Sequence, residues 1–249
     1  MFEGGLTEVQ CTASDAAGQS SSCLFTVTVN LLVPRLAKTK FLAFGDSLTA
    51  GEIAVPTPGA RGGNFRFIVD PVTAYPTKLA AALRARYPAQ ASAIDVVNGG
   101  WPGEWAQDGA KRLEQLLPAV RPDVLIVMEG LNDLASSLER GVGPAANAID
   151  RMAKEARGRG ASVMIATVPP SRPPGDHAVD DHLIQQLNAL IRGVAAGEGA
   201  VLVDFYAGMN KDVARYIGAD GLHPTEAGYE RMAELVFLAI RATYELKTP

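Results

Sequence analysis

Lys40-Phe41-Leu42-Ala43-Phe44-Gly45-Asp46-Ser47-Leu48-Thr49 opens the main body of the chain. A short apolar run stopped by Gly-Asp reads as a buried strand delivering a polar turn. Reading outward, the same unit recurs. Ala93–Val97, Val124–Met128, Ser162–Thr167 and Ala200–Asp204 are four further short apolar runs, each closed by turn residues. Between them lie helical patterns over residues 75–86, 104–117, 143–159 and 179–198, and a last one over 225–244, with Ala145, Ile149, Met152 and Ala156 at helical spacing in the third. Residues 51–72 are rich in Gly and Pro and read as one long loop. Strands of this kind alternating with helices predict an α/β fold, a three-layer α/β/α sandwich on a flavodoxin-like parallel five-stranded sheet.

Composition limits the functions open to such a fold. The chain has 249 residues, enough for one sizeable α/β domain and a small appendage. A net charge of −4 leaves no basic excess, so no nucleic-acid partner is expected. No apolar run is long enough to span a membrane. Met1–Gly5 has no basic or apolar leader pattern, so no signal peptide is read there, and the start reads as lying inside a longer precursor. Gly141–Ala146 spells G-x-G-x-x-A but does not directly follow a strand, so the dinucleotide reading lacks its context and no cofactor is expected.

The first thirty residues differ from the rest. Leu6–Thr12 and Leu24–Asn30 are β-prone runs joined by a polar Asp/Gly turn, and Phe25, Val27 and Val29 alternate with polar residues. This predicts an N-terminal β-hairpin appendage over 1–30, a linker over 31–39 and a catalytic domain over 40–249. Cys11 and Cys23 are the two cysteines of the chain, and their spacing suggests a disulfide across the hairpin and an oxidising compartment, extracellular or periplasmic. The unpaired strand edges suggest that 1–30 also joins copies of the chain into a homo-oligomer. The pattern Cys11, Ala13, Asp15, Ala17, Gly18, Cys23, Phe25, Val27, Val29 resembles the end of an immunoglobulin-like hyalin-type repeat.

In an open parallel sheet the site lies beyond the carboxyl ends of the strands. Asp46-Ser47, Asn98 to Gly103, Glu129 to Asp133, Pro169-Pro170 and Asp220 to Pro224 should therefore converge. A hydroxyl nucleophile needs a base, and His223 with Asp220 three residues before it supplies a base and a carboxylate to orient it. Backbone N–H groups beside Gly100 and the Asn132 amide suit a developing oxyanion. Histidines 177 and 182 lie beside Pro-rich and acidic sequence, are expected at the surface and have no convergent partners, so no metal site is read.

Together these blocks resemble the GDSL, or SGNH, hydrolases. Gly45-Asp46-Ser47-Leu48, then Asn98, Gly100 and Gly103, then Gly130, Asn132 and Asp133, then Asp220, His223 and Pro224 occur in that family's order. The resemblance implies a serine esterase with Ser47 as nucleophile, His223 as base and Asp220 as its orienting acid. It implies an oxyanion hole of the Ser47 and Gly100 N–H groups and the Asn132 side chain. Asp46, Asn98 and Asp133 are expected to hold the site loops together. Phe65, Phe67, Trp101, Trp105 and Pro169 are candidates for an apolar wall against the substrate. The expected substrate is a small or glycan-linked carboxylic ester with a short acyl or O-acetyl group. A lysophospholipase or thioesterase of the same fold is the alternative, and a non-catalytic binding protein with a degenerate hydrolase body is the alternative of a different class.

Overall fold

Residues Val124–Met128 are buried without exception, as a strand covered on both faces must be. The computed structural model describes residues 5–29, 33–57 and 64–246. Its strands in chain order are β1 (Gly5–Ser14), β2 (Ser20–Val29), β3 (Lys40–Gly45), β4 (Glu52–Pro56), β5 (Phe65–Val69), β6 (Asp95–Gly100), β7 (Val124–Met128), β8 (Ser162–Ala166) and β9 (Val201–Val203). The helices are α1 (Ser47–Ala50), α2 (Tyr75–Arg86), α3 (Ala106–Val120), α4 (Leu131–Ser137), α5 (Glu139–Gly158), α6 (Asp181–Gly197), α7 (Phe205–Met209), α8 (Val213–Tyr216) and α9 (Glu226–Tyr244). Five strands form one parallel sheet in the order β6-β3-β7-β8-β9. From β3 the chain goes out to β6 on one side and then returns to β7 on the other, so the switch point lies between β3 and β7, where such sheets place their sites. The predicted three-layer α/β/α architecture is the one observed.

The core explains why these segments adopt these forms. Phe41, Leu42, Phe44, Leu125, Ile126, Val127 and Ile165 are almost completely buried in the sheet. Leu113 and Leu117 of α3, Ile149 and Met152 of α5, Leu187 and Ile191 of α6, and Met232, Val236 and Ile240 of α9 are buried at helical spacing. Each helix turns one stripe to the sheet and leaves its charges outside.

Several boundaries differ from the sequence expectation. The predicted loop at 51–72 contains an antiparallel pair, with Glu52 opposite Val69 and Ala54 opposite Phe67. Its strands are only five residues long and set among Gly and Pro, so their alternation is weak. The second sheet strand runs to Gly100 rather than stopping at Val97, with Asn98, Gly99 and Gly100 paired to Ala43, Phe44 and Gly45. The helix expected from residue 143 begins at Glu139, with α4 directly before it. Leu36, expected in the linker, is buried and bridges to Glu245.

The chain divides into two compact units, and the second spans Arg35–Leu246. Strands β1 and β2 belong to the first and pair in a continuous register from Gly5↔Val29 to Ser14↔Ser20. The disulfide expectation is overturned. Cys11 stands opposite Cys23, yet both are free, exposed thiols. Opposed residues of an antiparallel pair are brought close by the ladder alone, and the backbone hydrogen bonds hold this register without a covalent link. The hairpin is the two-stranded pair that the hyalin-type resemblance implies, but among the described residues no further strand pairs with it to support a β-sandwich repeat.

Two missing side chains make room for the turn after β3. A Cβ on Gly45 would lie 2.3 Å from the Met128 carbonyl oxygen, and one on Gly100 would lie 2.1 Å from the Ala50 nitrogen. Gly45→Ala is therefore expected to lower the unfolding free energy by about 1–3 kcal/mol or more. Gly193→Ala, in the interior of α6 with open space around it, should instead raise it by about 0.5–1 kcal/mol. Urea denaturation of the two variants checks the pair of signs, and equal effects would refute the close-approach argument.

Candidate functional site

Strand β3 ends at Gly45, and α1 starts two residues later with Ser47 at its first position. Asp46 caps this turn, its Oδ1 accepting from the Leu48 N–H at 3.0 Å. The short helix leaves the Ser47 N–H without an intrahelical acceptor, as first-turn donors always are. On the far side of the sequence, Asp220 and His223 lie in the turn that leads to α9, which Thr225 caps.

The turns meet. Ser47 Oγ lies 3.1 Å from His223 Nε2, and His223 Nδ1 lies 2.7 Å from Asp220 Oδ2. All three side chains are buried. The Asp220 carboxylate also accepts the His223 backbone N–H, so acid and base are tied by main chain as well as side chain. Burial works against charge on Asp220, but the adjacent imidazole overrides it and holds the carboxyl below its ordinary range. For His223, burial works to lower the pKa. The hydrogen bonds it donates to the Asp220 and Glu52 carboxylates outweigh burial and raise the imidazole to about 9.

The other expected residues divide into groups. Asn98 Oδ1 accepts from the Gly100 N–H at 2.9 Å, and its amide donates to the Ala50 carbonyl at 3.3 Å. Asp133 Oδ2 accepts from the Ala106 N–H at 3.0 Å. Asp46, Asn98 and Asp133 thus each accept a hydrogen bond from a backbone N–H around the site. Gly100 is at the site, but its N–H is engaged by Asn98. Asn132 lines the same cavity as Ser47, and one hydrogen of its amide is engaged by the Glu104 carbonyl at 2.9 Å.

The cavity holds about 410 Å³ and is lined by Ser47, Glu52, Phe67, Asn132, His177 and His223, among others. Of the five candidate wall residues only Phe67 lines it. Its ring centroid is 5.0 Å from those of both His223 and His177. Trp101 and Trp105 are exposed, Pro169 is buried, and Phe65 stands opposite Pro56 further along the β4–β5 pair. His182 is exposed, as expected, away from the site on α6. His177 is exposed too, but at the rim of the cavity.

Sequence reasoning misses two features. Glu52 Oε2 lies 3.2 Å from His223 Nε2. Its only signal is an acid directly after the turn Ser47–Gly51. Glu129, fully buried, has neither carboxylate oxygen partnered. An acid ending the apolar run Val124–Met128 is its signal. Burial first, then the charges of Asp46 and Glu104, push the Glu129 carboxyl well above its ordinary range. Glu104 beside it pairs with Arg112 and presents the carbonyl that holds Asn132. Burial likewise lifts Asp46 to about 7.

Comparison with known proteins accords with this geometry. The model of the GDSL-like Lipase/Acylhydrolase family matches residues 43–231. Esterase TesA of Pseudomonas aeruginosa is 30% identical over 150 residues, 59% of this chain and 69% of that protein. An acetylxylan esterase of Xylanibacter ruminicola is 28% identical over 144 residues, 58% of this chain but 25% of that longer protein. The crystal structure of a lipase/acylhydrolase from Enterococcus faecalis superposes with a TM-score of 0.65 at 23% identity, covering 85% of this chain and all of the other, and shares its fold. With Ser47, Asp220 and His223 brought together inside the matched segment, the chain belongs to the GDSL-like lipase/acylhydrolase family.

Proposed function

We propose that this carboxylic ester hydrolase cleaves short acyl esters through an acyl-serine intermediate on Ser47, with residues 40–249 as its catalytic domain. The observation that carries the reading is the unbroken contact from Ser47 Oγ through the His223 ring to Asp220. With Nδ1–H donated to Asp220, the neutral imidazole keeps its Nε2 lone pair for the serine proton. Ser47 Oγ attacks the carbonyl carbon as Nε2 takes that proton. The carbonyl oxygen becomes an oxyanion. When the tetrahedral adduct collapses, the ester C–O bond breaks and the alcohol leaves with the proton from Nε2. Water then attacks the acyl-serine by the same route in reverse, giving up one proton to Nε2, which returns it to Ser47 Oγ. The products are a carboxylic acid, an alcohol and the original enzyme.

The oxyanion donors in this reading are the Ser47 N–H and the second hydrogen of the Asn132 amide, both beside the cavity. The Gly100 N–H joins them only by leaving Asn98. The short-acyl preference is supported by the small cavity, in which Phe67, Ala135 and Leu222 offer limited apolar wall while Glu52, Asp176 and His177 are polar. A hydroxyl-rich alcohol portion suits that polar rim. Acetylated glycans enter the reading because one relative carries the name acetylxylan esterase.

Ser47→Ala should lower kcat by roughly 10⁴-fold or more. Near-normal turnover in that variant would remove the serine mechanism. Asn132→Ala should lower kcat by roughly 10²–10³-fold with little change in KM. A loss confined to KM would move Asn132 from charge stabilisation to substrate positioning. Across p-nitrophenyl esters, acetate and butyrate should exceed laurate in kcat/KM, and a maximum at laurate would refute the short-acyl assignment.

A further inference from the structure

Two side-chain oxygens converge on one nitrogen. His223 Nε2 lies 3.1 Å from Ser47 Oγ and 3.2 Å from Glu52 Oε2. Taking the serine proton and bonding the carboxylate require opposite states of the ring. With Nδ1–H committed to Asp220, the neutral ring offers Nε2 as a lone pair, which suits the serine hydroxyl and repels a carboxylate. The imidazolium offers Nε2–H, which suits the carboxylate and cannot accept the serine proton. A charge-assisted bond to a carboxylate is roughly twice as strong as a neutral one. The contact is also shielded, since His223 is only 5% exposed and Phe67 packs beside its ring. Screening at this contact is weak.

Glu52 is built for this contact and no other. It starts β4, paired to Val69, and its backbone carbonyl accepts from the Tyr229 hydroxyl at 2.6 Å. The main chain is therefore held from two sides. Among the described residues, its carboxylate has no ion-pair partner besides His223. Resting on the assignment of Ser47 and His223 as nucleophile and base, we infer that Glu52 is a positioning residue that holds His223 as an imidazolium ion in the free site and yields Nε2 to Ser47 when acylation begins. The same carboxylate faces the imidazolium that forms each time Nε2 takes a proton, and so strengthens the base. Base availability near neutral pH is exchanged for base strength at alkaline pH.

The other ionisable groups around the ring do not duplicate this contact. Asp220 binds the opposite nitrogen. Asp46, at the cap of α1, acts on the ring only through its charge. From the segment after β8, Asp176 and His177 line the cavity, with His177 on the other side of Phe67. Tyr229 of α9 reaches the Glu52 backbone.

The test is the pH profile of kcat/KM for p-nitrophenyl butyrate in the intact protein and in Glu52→Gln, from pH 5.5 to 10. The wild-type midpoint should lie near 9. In E52Q it should fall by about 1 pH unit, because an opposite charge at this range has been removed. The curves should then cross. At pH 7 the variant should be about threefold faster, since roughly ten times more of its base is neutral but that base is weaker. Above its plateau it should be about threefold slower. Coincident midpoints with a uniformly lower curve would make Glu52 a structural residue and overturn the inference. A second readout needs no turnover: the ¹⁵N-detected titration of His223 in Ser47→Ala, with and without E52Q. The same separation of midpoints is expected there, and its absence would overturn the inference while leaving the serine mechanism intact. Normal turnover in S47A would overturn both.

Discussion

The arrangement depends on how closely three stretches of backbone approach at the carboxyl end of β3. Without a Cβ at Gly45 and Gly100, the Met128 carbonyl and the Ala50 nitrogen come within the space a methyl group would fill. That closeness seats the turn Ser47–Ala50 between the ends of β6 and β7, at the sheet's switch point. From there Ser47 reaches the cavity, Asp46 is buried beneath it, and the Asn98 side chain spans from Gly100 to Ala50. Interiors packed at crystal density do not absorb an added methyl group by spreading. The position of the serine is therefore a property of the sheet, transmitted through main-chain contact.

Beneath this turn lies an unusual concentration of acid. Asp46, Glu104, Glu129 and Asp133 are all buried, and Arg112 is the cation paired within the group. Four charged carboxylates could not share so small a dry volume, because both burial and mutual repulsion oppose ionisation. Burial and the neighbouring acids relieve part of the conflict by favouring the neutral form of Glu129. Glu104 resolves another part by pairing with Arg112, which also donates to the Gly99 carbonyl and lies over the Phe44 ring. The group links the end of β7 to the start of α3 and so to the carbonyl that holds Asn132. Its polar atoms act on the cavity by fixing main chain.

What the sequence reveals follows from where information is stored. Ser47, His223 and Asp220 are legible because each stands at the end of a regular element beside Gly or Pro, in an order that a family shares. The sheet is legible because parallel strands must be apolar throughout. The β4–β5 pair is not, since five-residue strands among Gly and Pro carry too few alternations to stand out. Glu52 is hidden for a related reason: its role comes from a contact with a residue far along the chain, and an acid after a turn is too common a local mark to single it out. The wall residues show the limit of composition, because Trp101 and Trp105 look like a binding surface yet face solvent, whereas Phe67 alone reaches the cavity. Cys11 and Cys23 show that a spacing consistent with a bond is not the bond.

Nucleophile and base are separated by 176 positions. A ribosome delivers Ser47 early and His223 late, and the turn holding Asp220 and His223 is fastened by α9, the last helix. Until that helix docks, the emerged sheet carries a serine with no base and a Glu52 whose backbone lacks its Tyr229 anchor. Hydrolytic capacity thus switches on with the closing segment of synthesis rather than growing along with the fold. A product cut short between Val203 and His223 holds all five strands of the parallel sheet and lacks the base, so its serine has nothing to take its proton.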